Sequence, residues 1–119
     1  MKRYNKWLDS FFESWKLLEG VKTVDLFSED VKYFETPLGN PCSSIEDVKE
    51  LWIIVPINQR NIEYSYDIIC SNDNVCVVNW DMTRTINQKK QTINGIFQIS
   101  LDDNGLCNYF KQWRYTENN

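Results

Sequence analysis

Four groupings in this chain have the residue types and spacing to do chemistry. They are Glu35 and Thr36 ahead of Pro37, Tyr64 and Tyr66 two residues apart, Gln112 and Arg114 two residues apart, and the cysteines Cys42, Cys70, Cys76 and Cys107. The chain has no histidine, which removes the commonest general base, the commonest metal ligand and every Ser-His or Cys-His nucleophile pair. Chemistry must rest on Asp, Glu, Lys, Tyr, Cys or a bound cofactor. The Arg114 guanidinium has two readings: it could hold a carboxylate or enolate in a bidentate grip, or it could pair at a strand end with a surface acid such as Glu35 or Glu117.

The cysteines form no C-x-x-C pair, so a structural zinc site would need an all-cysteine cage drawn from distant elements. They read as thiols packed as small hydrophobes. Cys70 and Cys76 flank Ser71-Asn72-Asp73-Asn74 and could face each other across a hairpin, although a cytosolic chain keeps such thiols reduced. Gly20, Gly39, Gly95 and Gly105 stand apart from one another, so no glycine-rich loop cradles a phosphate. No metal and no cofactor is expected.

The elements that must position these groups belong to one domain, residues 1–119, since a chain of 119 residues is too short for two independent cores. Its composition, 42% hydrophobic and 14% aromatic, is that of a globular protein. The longest apolar run, Leu51 to Val55, is far short of a membrane span, and Met1 to Asp9 lacks the apolar stretch of a secretory signal. A cytoplasmic location without membrane contact is expected. The net charge of −4, with no basic block, argues against a nucleic-acid partner.

Along the chain, Tyr4, Trp7, Leu8, Phe11, Phe12, Trp15 and Leu18 recur at helical steps, predicting an amphipathic helix that ends near Gly20. Thr23 is placed as the cap of a short helical piece from Val24 to Phe27. A strand from Val31 to Thr36 stops at Pro37, which cannot donate a ladder hydrogen bond. Ser43 with Glu46 forms a capping-box pattern for a helix carrying Ile45, Val48, Leu51, Trp52 and Val55 and closed by Pro56. The second half changes period: Ile62, Tyr64, Tyr66 and Ile68 alternate with polar residues. Turns at Ser71 to Asn74, Asn87 to Lys90 and Asp102 to Gly105 then separate strands over Val75 to Ile86, Gln91 to Leu101 and Leu106 to Tyr115. Helices followed by a run of hairpins argue an α+β fold, with the helices on one face of a curved antiparallel sheet.

Several pieces fall in the order and spacing of a known scaffold. They are Trp15 followed by Glu19, Leu26-Phe27-Ser28-Glu29-Asp30, Phe34-Glu35-Thr36-Pro37-Leu38-Gly39, and the run from Asp103 to Trp113. Together they resemble the nuclear transport factor 2-like superfamily, which includes the SnoaL-like polyketide cyclases and the ketosteroid isomerases. The resemblance implies a cone-shaped nuclear transport factor 2-like fold, with N-terminal helices packed on a strongly bent antiparallel sheet and a pocket between them. In the isomerases the inward residue before the proline is the proton-shuttling carboxylate, and that position is Thr36 here, with Glu35 expected on the opposite face. The isomerases' oxyanion-hole tyrosine and aspartate positions fall on Phe11 and Phe97. A threonine and two phenylalanines cannot perform that reaction.

Strand parity, oriented by the resemblance, places Phe34, Thr36, Trp52, Tyr64, Tyr66, Trp80, Met82, Phe97, Phe110, Gln112 and Arg114 around the pocket as an aromatic box with a few polar fittings. Each aromatic has an alternative reading as plain core. Gly95 is either a bulge that bends the sheet or a gap that admits a ligand. Asp67 and Asp81 fall on the convex face, which in the superfamily often meets a second subunit, and would pair there with Arg84 or Arg60. The resulting expectation is a homodimeric binder of a small apolar or aromatic molecule, without established catalysis. One alternative is an acid–base lyase, isomerase or cyclase with Tyr64 or Tyr66 as acid and a carboxylate misassigned to the outer face. A second is an association domain whose pocket is filled by its own side chains.

Overall fold

The computed structural model describes residues 2–54 and 58–118. The first helix, α1 (Lys2–Lys16), turns Tyr4, Trp7, Leu8, Phe11, Phe12 and Trp15 inward, as the helical spacing requires. Phe11 meets Phe97 edge to face at 5.6 Å, and Phe12 stacks on Tyr64 at 5.0 Å. The indole N–H of Trp7 donates to the Leu26 carbonyl (2.9 Å) and that of Trp15 to Gln59 Oε1 (3.0 Å), so both large rings are buried with their polar edge satisfied. Leu18 is not part of this stripe. It lies beyond the helix end at φ 59° and is partly exposed.

The short helix α2 (Gly20–Val24) begins earlier than expected, and Thr23 lies inside it as a buried residue bonded to Ser14 Oγ (2.6 Å). Phe27, expected to end that helix, instead opens strand β1 (Phe27–Phe34). The chain then bends through Glu35 to Gly39, where the Thr36 hydroxyl donates to the Leu38 carbonyl. It returns as a two-bond bridge between Tyr33 and Cys42. Helix α3 (Ile45–Ile54) is capped by Ser44, whose Oγ accepts the Asp47 N–H at 3.3 Å, so the cap falls one residue beyond Ser43. Its buried face is Val48 and Trp52. The expected closing residues Val55 and Pro56 lie outside the described residues.

Four long strands follow: β2 (Gln59–Ser71), β3 (Cys76–Ile86), β4 (Lys89–Leu101) and β5 (Cys107–Asn118). The β3–β4 turn is two residues, Asn87 and Gln88, both at positive φ, which matches the twist of the flanking strands. The sheet order is β1-β5-β4-β3-β2.

The expectation of a strongly bent, antiparallel, cone-shaped sheet is corrected on two counts. The sheet is mixed, because β1 runs parallel to β5. It is also open, with β1 and β2 as separate edges and no strong bend. The central β3–β4 ladder runs from Cys76 opposite Ile99 to Ile86 opposite Lys89 without a register shift. Alternating hydrophobicity fixes which face a residue takes, but not a strand's direction or partner. Three successive hairpins reverse the chain between β2 and β5, and the α3 passage places β1 in line with β5.

Candidate functional site

A cleft of about 120 Å³ opens where α1, α3 and the inner face of the sheet converge, lined by Phe11, Trp15, Tyr33, Glu35, Leu51, Trp52, Gln59, Arg84, Gln112 and Arg114. Each strand delivers its polar group by alternation. On β3, Trp80 and Met82 face inward, so Arg84 does too, and on β5 the sequence Phe110, Gln112, Arg114 climbs from core to rim. Tyr33 stacks on Phe110 at 4.6 Å and 12°, which fixes β1 with Tyr33, and Glu35 beyond it, toward the cleft. Larger depressions of about 450 and 490 Å³ lie along α1 and the neighbouring loops, and neither is lined by a residue of β2 to β5.

Two guanidinium groups dominate the electrostatics. Arg84 is only 8% exposed, and its Nε donates to Gln91 Oε1 at 3.0 Å. Burial first, and then the neighbouring Arg114, pull its pKa down to about 10. Among the described residues, the ion pairs are Lys16–Glu63 and Lys22–Glu19, and neither arginine takes part in one. Glu35 supplies a carboxylate at the rim. The Tyr33 hydroxyl is pushed well above its usual range, by burial first, so it stays protonated. The Trp52 indole N–H comes near enough to favour the Tyr33 anion slightly, yet it is buried without a partner in hydrogen-bond geometry.

The sequence-predicted site residues divide into four groups. Trp52, Gln112 and Arg114 line the cleft. Trp80, Met82, Phe97 and Phe110 are fully buried: Trp80 and Phe97 stack at 4.9 Å, and Phe97 lies 4.8 Å from Phe110. They form the floor beneath the cleft, in an aromatic cluster whose near edge is Phe11, Trp15 and Trp52. Tyr64 and Tyr66 face α1 instead, where their hydroxyls donate to Glu13 Oε2 (3.0 Å) and Asp9 Oδ1 (2.6 Å).

Phe34 and Thr36 correct the orientation assigned to the first strand. Phe34 lies on the outer face, 5.6 Å from Tyr109 and 5.0 Å from the Lys111 ammonium, and Thr36 is exposed. The carboxylate turned toward the cleft is therefore Glu35, which the sequence reading had placed outside. Arg84 is likewise inside, not on the convex face with Asp81, which is exposed and accepts a hydrogen bond from Asn94 (2.7 Å). Gly95 is neither bulge nor ligand gap. It pairs directly with Trp80, whose ring lies over it.

Sequence reasoning missed Tyr33, Glu35, Gln59 and Arg84. Two signals were present: Arg84 shares parity with Trp80 and Met82, and exposed Lys32 between Val31 and Tyr33 marks even positions of β1 as outward. Cys70 is exposed, Cys76 is buried, and all four cysteines are free. Among the described residues, no cluster of three or more His, Cys, Asp or Glu could hold a metal ion, and no helix is long and apolar enough to cross a membrane.

The architecture and the half-enclosed cleft define a small α+β protein of the nuclear transport factor 2-like, SnoaL-like fold, as the sequence resemblance implied. No family model matches the chain, and no curated protein matches it in sequence. Solved structures do match. The epoxide hydrolase/cyclase-like enzyme SalBIII, of pyran-ring formation in the polyether salinomycin, is 12% identical, with a TM-score of 0.81 over 96% of this chain and 91% of its own. A Δ5-3-ketosteroid isomerase from Mycobacterium sp. is 11% identical, with a TM-score of 0.79 over 97% of this chain and 98% of its own. A Mycobacterium tuberculosis protein in complex with estradiol-17β-hemisuccinate is 12% identical, with a TM-score of 0.78 over 93% of this chain and 92% of its own. At these identities the likeness is one of fold.

Proposed function

We propose that the protein is a small acid–base enzyme of the lyase, isomerase or polyketide-cyclase type, with Glu35 as the proton-transferring group. The observation that carries this reading is a carboxylate in a cleft that also holds two guanidinium groups outside any ion pair among the described residues. Glu35 takes a proton from a carbon beside a carbonyl. The negative charge that develops on the carbonyl oxygen is met by the positively charged lining of the cleft, in place before the reaction. Glu35 then returns the proton to another atom of the substrate, a second carbon in an isomerisation or the leaving group in an elimination. Tyr33, held protonated by burial, closes the wall on the Trp52 side.

Two of the proteins sharing this fold are described as enzymes, an epoxide hydrolase/cyclase-like one and a ketosteroid isomerase, which supports a catalytic reading. The binder of flat aromatic molecules loses support, because Trp80, Phe97 and Phe110 stack on one another and leave no face for a ligand. A cleft of about 120 Å³ also favours a substrate of a few heavy atoms over one of steroid size, since sites for drug-sized ligands run from about 300 Å³ upward.

The test is proton exchange in D₂O, followed by ¹H NMR, over a panel of small enolisable carbonyl compounds. The unmodified protein is expected to accelerate exchange of at least one of them, and Glu35→Gln to slow it by about 100-fold or more. Exchange absent across the panel, or unchanged in Glu35→Gln, overturns the reading.

A further inference from the structure

We infer that the cleft selects a small monocarboxylate, held by Arg84 and Arg114, an assignment that rests on reading the Glu35 cleft as the reaction site. The charges that line the cleft are Glu35, negative, and Arg84 and Arg114, positive, in a chain that is otherwise net negative. Two guanidinium groups lining one cleft repel, and Arg114 adds to burial in lowering the Arg84 pKa. Buried arginines in folded proteins are ordinarily paired with an acid. Here neither guanidinium has such a pair among the described residues: Glu35 shares the cleft without an ion pair to either, and Asp81 is bonded to Asn94 on the outer side.

The geometry of Arg84 suits a ligand. Its Nε is fixed by Gln91, which itself donates to Asn118 Oδ1 at 2.8 Å, so a short chain of side chains braces the guanidinium from behind. Its remaining N–H groups have no protein acceptor among the described residues. A planar carboxylate matches that fork with two parallel hydrogen bonds, and the shared negative charge relieves the repulsion between the arginines. Gln112, 5% exposed and opposite Phe97, adds an amide to the same cleft, one step deeper on β5 than Arg114. Charge count favours a singly charged anion. One negative charge brings the lining, net +1, to neutrality, and a dianion overshoots it.

The reaction site and the anchor are then different ends of one molecule. The carboxylate sits on the arginines, and the carbon that loses its proton lies toward Glu35. This division makes the substrate class a small acid bearing an enolisable carbonyl, such as a 2- or 3-oxo acid.

Titration calorimetry with pyruvate, its uncharged counterpart pyruvamide and inorganic phosphate tests the assignment. Pyruvate is expected to bind at least tenfold more tightly than either of the others. Arg84→Gln and Arg114→Gln should each weaken pyruvate at least tenfold and leave pyruvamide unchanged, with circular dichroism confirming the fold. Arg114 is exposed, so its variant carries the test should Arg84→Gln fail to fold. Glu35→Gln should leave pyruvate binding intact or tighter, because it removes a like charge. Equal affinity for pyruvate and pyruvamide, no pyruvate binding, or tighter phosphate binding overturns the inference. Glu35-dependent exchange without carboxylate preference overturns this inference alone. Carboxylate preference without Glu35-dependent exchange overturns only the acid–base reading.

Discussion

A Cβ built on Gly95 would stand 2.6 Å from Cε2, Cζ2 and Nε1 of Trp80, far inside contact distance. Trp80 is fully buried between Phe97, Phe12 and Trp15, so its ring has little room to retreat. Gly95→Ala is therefore expected to cost about 1–3 kcal/mol in urea denaturation, the usual range for overpacking a filled core. Because the clash belongs to one pair, a double-mutant cycle with Trp80→Phe should show a coupling above about 0.5 kcal/mol, and strict additivity would mean that the ring is not the obstacle. The same scale decides between Glu35 and Thr36. Thr36→Ala removes a hydroxyl engaged with the Leu38 carbonyl outside the cleft, so it should leave proton exchange unaltered where Glu35→Gln does not. The sequence shows both residues plainly. It does not show which one turns inward, since alternation gives two opposite faces and an external reference must say which is buried. The stacking of Tyr33 on Phe110 is that reference, and it exists only once β1 has paired with β5.

At the level of elements, α1 ends in a left-handed residue. The Glu19 N–H returns to the Ser14 carbonyl and the Leu18 N–H to Trp15, both at 2.9 Å, which is the double closure usually completed by glycine. Here the residue at φ 59° is Leu18, whose Cβ makes that conformation costly, and its side chain is 37% exposed, so it recovers little by packing. Leu18→Gly should stabilise the protein by about 1 kcal/mol, seen as a raised urea midpoint at unchanged slope. A lowered midpoint would show that the leucine side chain contributes more than its exposure suggests. Element type was legible almost throughout, because helical spacing in Tyr4 to Trp15 and alternation in Ile62 to Ile68 reflect burial directly. Ends were less so: Leu18 continues the apolar spacing past the point where the backbone turns, and Ser43 and Ser44 are both competent caps. The parallel β1–β5 pairing was not legible at all, because it is set by the whole path through α3 and three hairpins and not by any local pattern.

For the whole molecule, the contact between α1 and the outer strand makes alkaline stability a readout of how the layers hold together. Tyr64 and Tyr66 reach from β2 to α1, donating to Glu13 and Asp9, while their rings stack on Phe12. Each hydroxyl must be protonated to donate, and burial first, then the neighbouring carboxylate, raises Tyr64 from 10.0 to about 12 and Tyr66 further. Since the folded state holds these protons more tightly than the unfolded chain, their contribution is fully present below pH 10 and is lost as pH climbs through the folded values. Unfolding free energy should fall as pH rises from about 10 to about 12, and Tyr64→Phe should make that fall shallower, because its ring still stacks but has no proton to lose. Cys76, raised by burial from 9.0 to about 11, loses its contribution over a window that overlaps this one from below, so Cys76→Ala serves as the control that separates a thiol from the tyrosines. Tyrosinate absorbance gives the independent measure: Tyr64→Phe should remove a late-titrating step from the folded protein and leave the early steps unchanged. A folded-state titration completed near pH 10, with stability insensitive to Tyr64→Phe, would mean that the helix is held to the sheet by its buried aromatic face alone.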